Sequence, residues 1–293
     1  MSAVLFDAPG PRARRRNTLL GVVAAVLVVG VLAFIVWRFA VTGQFSSDKW
    51  RVFGFPLVQR SILQALGSTL LAFAYGAVLS LALGLLLAIG RLSARSWLRV
   101  TCTVVVELFR AVPLLILMMI VYYGLPPLGV TFITPLIAVV TGLTLYNGAV
   151  LAEVFRTGVQ SVPRGQREAA EALGMRRGHV LWQILLPQAT RAMLPVILAQ
   201  FVVILKDTAL GFIVTYQELL YYAKYLGSNF QYGAPLIPAT IVVGTVYIGL
   251  CLVLSGASKL VERRLKGTRR TRPGTRVAVS SQHDDADRED AAR

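Results

Sequence analysis

Arg164-Gly-Gln-Arg-Glu168-Ala169-Ala170-Glu-Ala-Leu-Gly174, followed after nine residues by Ile184-Leu185-Leu186-Pro187, is the stretch on which the reading of this chain turns. It is polar and lies between long apolar runs. Ser161-Val-Pro163 reads as a turn feeding a helix, Gly174 can take the left-handed conformation that caps one, and Pro187 cannot continue a second. The expectation is therefore a short helix, a glycine turn and another short helix ending at Pro187. Arg164 and Glu168, like Arg167 and Glu171, are spaced for ion pairs on one face, while Ala169, Ala172 and Leu173 gather on another. A small, smooth knuckle of this kind suits insertion into a cleft on a partner. The plainer alternative is an amphipathic hairpin on a membrane protein.

Composition supplies the setting. Of 293 residues, 56% are hydrophobic and only 15% charged, and the mean hydropathy is +0.66. That combination belongs to all-α proteins that cross a membrane many times, and not to soluble domains. The net charge of +16 does not point to nucleic acid, because the Lys and Arg residues sit mainly in loops and tails between the apolar runs. Cys102 and Cys251 are far apart and have no metal-ligand neighbours, so no disulfide framework and no metal site follow.

Stretches long enough to cross a bilayer lie at about 18–38, 66–90, 100–124, 133–155, 193–215 and 236–260, since each crossing needs roughly 20 residues. The first follows Arg12, Arg14, Arg15 and Arg16 and is too long for a cleaved signal, so it reads as a retained anchor. The chain divides into a basic start (1–17), an extra helix (18–40), a core (64–262) with a loop at about 156–191, and a tail (267–293). That tail turns acidic at Asp284, Asp285, Asp287, Glu289 and Asp290 and is expected to be disordered.

Arg91, Arg95 and Arg99 in one loop, six arginines from Arg156 to Arg191, and Arg263, Arg264, Lys266, Arg269 and Arg270 after the last span place both termini and the central loop in the cytoplasm. The first external segment dissents, with Arg38, Lys49, Arg51 and Arg60. An interfacial helix around Asp48–Phe55, anchored by Trp50, would account for it.

Within the second span, Ala72, Gly76, Ser80, Gly84 and Ala88 recur every fourth residue and line one face for close helix packing. Ionisable groups inside spans cost roughly 2.5–3.5 kcal/mol each on the permissive insertion scale, so each asks for a reason. Lys206 and Asp207 fall near the middle of the fifth span and point about 100° apart, which gives them different partners. Beside a transport path, a cation and a carboxylate could read the two ends of a zwitterion, with Thr208 adding a hydroxyl; the alternative is structural contacts to other spans. Arg110 is a second candidate, because Pro113 disturbs the helix nearby, the alternative being a place at the cytoplasmic interface where it snorkels. Glu153 and Arg156 most simply pair at the membrane surface.

Glu107 to Leu115, Leu143 to Gln166, the central loop, Leu186-Pro-Gln-Ala189 and Lys206-Asp-Thr-Ala-Leu210 together resemble the polar amino acid permeases of ABC importers, the histidine/glutamine/glutamate type. The likeness runs from about Leu66 to about Leu220, and the loop matches without gaps. The resemblance implies an ABC type I importer permease fold with about six transmembrane helices. It implies pairing with a second permease subunit, itself or a sister, and an extracytoplasmic binding protein that delivers the amino acid. It also implies a cytoplasmic ATPase dimer gripping the loop at Glu168, Ala169, Ala170, Gly174, Ile184, Leu186 and Pro187. ATP would be used by that ATPase and no cofactor bound by this chain, in agreement with its lack of a Gly-rich Lys-Ser/Thr phosphate loop.

Ala111-Val112 stands where the family often has Gly-Thr, Val150 near a usual Tyr, and Ala209 in place of Ser; these bear on the substrate, not the class. The extra first span and arginine-rich tail look like glutamate permeases of actinobacteria, which points to an acidic amino acid, with basic amino acids, glutamine and histidine as alternatives. A secondary transporter should show repeated halves and would have no use for the loop. A membrane enzyme would need a catalytic constellation, and the histidines are only His179 and His283.

Overall fold

The computed structural model describes residues 10–267, apart from the side chains of residues 177 and 264–267. The acidic tail, His283 and the first nine residues lie outside them. The described residues form helices and turns, with no strand among them. In chain order the helices are α1 (Pro11–Val41), α2 (Ser47–Arg51), α3 (Pro56–Arg91), α4 (Ser96–Ala111), α5 (Leu114–Met119), α6 (Pro135–Ser161), α7 (Arg164–Ala172), α8 (Arg177–His179), α9 (Leu186–Asp207), α10 (Leu219–Gly227) and α11 (Leu236–Gly267).

The bundle is built on the pairing of α3 with α6. Ala72, Gly76, Ser80, Gly84 and Ala88 all turn inward, and the backbones approach so closely that a Cβ on Gly84 would stand 2.7 Å from Leu151 Cβ and 3.0 Å from the Gly148 carbonyl oxygen. Between lipid-soluble helices small residues allow this approach, and dispersion then holds it. The buried Ser80 hydroxyl donates to the Leu143 carbonyl at 3.0 Å and ties the pair further. α9 and α4 pack onto α6, and α11 packs onto α9 and α10.

Three departures from the sequence expectations have local causes. The span expected at 100–124 is not one helix: α4 and α5 meet at 98°. Pro113 has no N–H to give and forces Val112 into extended backbone, φ −89° and ψ 126°, so the ladder stops there. The described residues thus hold five helices long and apolar enough to cross, and a sixth crossing only if this bent pair counts as one.

Pro187 does not end a second short helix. After α8, a π-turn over Val180–Leu185 runs into α9 and then into a 3-10 segment, Thr208–Val214, as one span of 35 residues. The Leu186 N–H reaches back to Leu181, a longer step than in an α-helix, so Pro187 enters at the head of a fresh α-helical ladder where its missing N–H matters least. The fifth span is thereby longer than the expected 193–215 and begins in the central loop.

The third departure is at the start of the core. α3 begins at Pro56, and the segment before it is helical as expected, α2 followed by a 3-10 turn over Val52–Gly54. Its Val52 is buried with Val58 against α10 and α11, so this segment caps the core; the Trp50 and Phe53 rings meet at a tilt, 5.9 Å between centroids. α1 has no buried residue, as suits a helix facing lipid.

Replacing Gly84 by Val should force α3 and α6 apart and destabilise the bundle by about 1–3 kcal/mol. Gly67→Ala, where the added Cβ meets nothing within 4 Å, should not. Thermal unfolding of the purified variants in detergent checks both.

Candidate functional site

Two places concentrate chemistry, at opposite ends of the α8–α9 span. The first is the elbow after α7. Gly174 sits at φ +77°, its N–H bonds to the Glu171 carbonyl at 3.0 Å, and the Met175 N–H bonds to the Ala170 carbonyl at 3.2 Å. This pair of bonds is the Schellman arrangement, which a residue in the left-handed region makes possible. Arg167 pairs with Glu171 at 2.9 Å; Arg164 and Glu168 form no ion pair among the described residues, so only one of the two expected pairs exists.

Ala170 is buried under the elbow, whereas Glu168, Ala169 and Leu173 face outward, Leu173 with 83% of its surface exposed. Ile184 and Leu186 are half-buried and Pro187 is exposed on the following turn. A cleft of about 900 Å3, lined among others by Arg99, Val162, Arg164, Arg167, Leu181 and Leu185, separates the elbow from the end of the bundle. The elbow therefore projects as a knuckle with an apolar tip and a basic flank.

Behind it, charges lock the helix ends together. Arg91 of α3, its side chain 7% exposed, donates to Glu153 of α6 at 2.7 Å and lies 3.7 Å from Glu107 of α4. Arg156 also pairs with Glu153, and Arg110 with Glu107 at 3.6 Å. Arg110 thus belongs to a structural cluster, and the structure does not bring it to Lys206 or Asp207. The pairing of Glu153 with Arg156 is there, with Arg91 as a third member that loop charge alone did not reveal.

The second place is a polar seam between α6 and α9. Gln200 Nε2 donates to Asn147 Oδ1 at 2.7 Å. Asp207, two helical turns beyond Gln200 on the same face, interacts with the Asn147 side chain, although Asn147 Nδ2 is buried without a hydrogen bond of good geometry. One turn before Asn147, the buried Thr144 hydroxyl oxygen also lacks a partner. Lys206 faces outward from these helices, Asp207 is half-buried, and Thr208 is fully buried with its hydroxyl donating to the Leu205 carbonyl at 2.6 Å. Asn147, Gln200 and Thr144 were not singled out from the sequence. Their spacing was the available signal: Gln200 and Asp207 are seven apart and Thr144 and Asn147 three apart, each pair sharing one helix face.

Residues 80–267 match the family of binding-protein-dependent transport system inner membrane components. The glutamate transport system permease protein of Corynebacterium glutamicum is 39% identical over 231 residues, covering 78% of this chain and 83% of the relative. The arginine transport system permease protein of Bacillus subtilis is 32% identical over 206 residues, covering 70% and 92%. Among solved structures, an amino acid ABC transporter crystallised with histidines contains a chain that superimposes with a TM-score of 0.64 at 28% identity, over 70% of this chain and 94% of that one.

The seam carries its own test. Asn147→Leu keeps the branched skeleton, though with greater bulk, but strips Gln200 and Asp207 of a buried partner, and should cost about 1–3 kcal/mol of stability. Adding Gln200→Leu should restore part of it, a coupling that a double-mutant cycle of melting temperatures reads directly.

Proposed function

This chain belongs to the family of binding-protein-dependent transport system inner membrane components, and we propose that it is the permease subunit of an ATP-driven importer of polar amino acids, with glutamate or another acidic amino acid as cargo. The observation that carries this reading is the continuity of one span, Val180–Val214, between the elbow and the seam. At 1.5 Å per residue the span reaches roughly 50 Å, and in this reading it stays straight through Pro195, inside α9, as a rod that makes one end follow the other. Support for the cargo comes from the 39% identity to a glutamate permease over most of both chains; the similarity to an arginine permease keeps basic amino acids as the second reading.

In this reading a cytoplasmic ATPase dimer holds the elbow of each of two permease subunits, this chain with a copy or a sister. The apolar tip at Ala169 and Leu173 enters a cleft on the ATPase, and Glu168, Ala170, Gly174, Ile184, Leu186 and Pro187 shape and brace it. ATP is bound and hydrolysed by that partner, and an external binding protein delivers the amino acid. Both termini face the cytoplasm, on the side of the arginine-rich loops. When nucleotide binding shifts the elbow, the rod carries the seam with it. Asp207 presents a carboxylate to the cargo's ammonium, Lys206 a cation to its carboxylate across the subunit boundary, and Thr208, Asn147 and Gln200 line the path.

Gly174→Val places a β-branched residue where φ is +77°. Inserted protein should accumulate, while ATPase co-purification and amino acid uptake should both fall sharply. Gly174→Asn, which tolerates the left-handed region, should keep most of both. Uptake and assembly unchanged in the Val variant would defeat the coupling role. Separately, Asp207→Asn and Lys206→Met should each lower uptake about ten- to a hundredfold, the worth of one charge-assisted hydrogen bond, without loss of ATPase binding. Normal transport by both would remove these residues from the path.

A further inference from the structure

Glu218 precedes α10, between the last two spans, and is fully buried although the transport path has no use for it. Its carboxylate accepts from the N–H groups of Leu220 at 2.8 Å and Tyr221 at 2.6 Å, and from the Tyr247 hydroxyl on α11 at 2.7 Å. The Leu219 N–H goes instead to the Thr69 hydroxyl on α3 at 3.2 Å. On its other side the Tyr247 hydroxyl lies 3.5 Å from the Thr208 hydroxyl, next in sequence to Asp207. One tyrosine thus stands between a buried carboxylate and the proposed path.

The connections of α10 do not hold it by themselves. Thr215 at φ 61° and Ala234 at φ 49° are the non-glycine residues with positive φ among those described, and they flank α10 on either side. Strain of this sort persists only where surrounding contacts impose it. The anchors through Thr69, Glu218 and Tyr247 are among those contacts, together with the bond between the Thr215 and Tyr122 hydroxyls at 3.0 Å.

Counting protons shows what the arrangement can do. A hydroxyl donates once. Thr208 gives its proton to the Leu205 carbonyl and Thr69 to the Ala65 carbonyl, while Tyr247 gives its own to Glu218. With Glu218 ionised, no proton remains for the contact between Tyr247 and Thr208. When Glu218 takes up one proton, its carboxyl O–H donates to the Tyr247 oxygen, and the phenol proton turns to Thr208 Oγ1.

We propose that Glu218 and Tyr247 are positioning residues for the transport path, joining α10 to the Asp207–Thr208 segment through a hydrogen-bonded chain that closes only when Glu218 carries a proton. The proposal rests on the reading of Asp207 and Thr208 as part of the path. Burial holds the Glu218 carboxyl above the usual carboxylate range, opposed by its bonds from Leu220, Tyr247 and Tyr221. The titratable groups that act on it are Tyr247 of α11 and Tyr216 of the preceding turn; α3 offers only Thr69, and Lys224 of α10 is turned to the Phe212 ring at 5.0 Å. No cation pairs with Glu218 among the described residues. The sign follows: the chain is closed at low pH and opens as pH rises through the Glu218 ionisation.

The test uses the assembled transporter, permease with its co-purified ATPase and saturating loaded binding protein, in proteoliposomes. The probe is whichever of glutamate, glutamine and arginine the unmodified protein imports fastest, and the readout is amino acid imported per ATP hydrolysed, from about pH 5 to about pH 8. The unmodified transporter should lose roughly two- to tenfold in this ratio as pH rises, the span of one neutral hydrogen bond. Glu218→Gln, whose amide nitrogen at the Oε2 position donates to Tyr247 at every pH while its carbonyl still accepts from the Tyr221 N–H and the Leu220 N–H loses its acceptor, should hold the low-pH ratio throughout. Tyr247→Phe should show the high-pH ratio throughout and keep binding-protein-stimulated ATP hydrolysis, which a misfolded protein would lose. A Gln variant that follows the unmodified profile, or a Phe variant with unchanged ratio and profile, overturns the proposal. Should the Gln variant not accumulate, the Phe variant decides alone. Asp207→Asn in the same assay separates the two readings: normal import there rejects the path, while removal of the pH step in the Gln variant still reports the chain.

Discussion

The close approach of α3 and α6 sets the positions of the other core helices. Inside a bilayer no hydrophobic gain draws one apolar helix to another, so contact has to come from backbones near enough for dispersion and for hydrogen bonds that lipid cannot offer. Gly84 meeting Leu151 and Gly148, and Ser80 bonded to Leu143, provide both. With α6 held there, another of its faces presents Asn147 to Gln200 of α9, and its last turns present Glu153 to Arg91. The seam and the charge cluster are consequences of one interface.

Polar groups at membrane depth are disposed in two ways. Arg91, Glu107, Arg110, Glu153 and Arg156, three cations and two carboxylates, pair with one another across three helices, with the Arg91 Nε buried and without a hydrogen bond. In the seam the buried Thr144 hydroxyl oxygen lacks a partner and the buried Asn147 amide nitrogen has no hydrogen bond of good geometry, each at a cost of about 1–3 kcal/mol. Those two dispositions separate Arg110 from Asp207, which looked alike as charges in apolar runs.

Much of the architecture was legible in the residues. Apolar run lengths gave the crossings, the four-residue stripe gave the buried face of α3, and Gly174 announced its positive φ. Prolines were harder to read. Pro113 bends its span by 98° and Pro187 is absorbed by a π-turn, two outcomes for the same missing N–H. What separates them is whether the preceding backbone can lengthen its hydrogen-bond step, and that is decided by tertiary packing. Asn147 and Gln200 escaped notice because neutral amides carry no charge to flag them. Glu218 did so because its side-chain partner, Tyr247, is distant in sequence. The family resemblance and the comparisons agree on the class of protein, while the site rests on the geometry.

The central claim is that the elbow and the seam move as one body. Spin labels at exposed positions Trp182 and Val203 on this span, and at Leu79 on α3, report it in the assembled transporter once Cys102 and Cys251 are replaced. Along a helix the first pair should lie about 30 Å apart. Pulsed distance measurements with and without a non-hydrolysable nucleotide should find that separation constant while Val203 shifts relative to Leu79. A changing distance from Trp182 to Val203, with Val203 fixed against α3, would show that bending, at Pro195 for example, absorbs the motion, and would contradict the account.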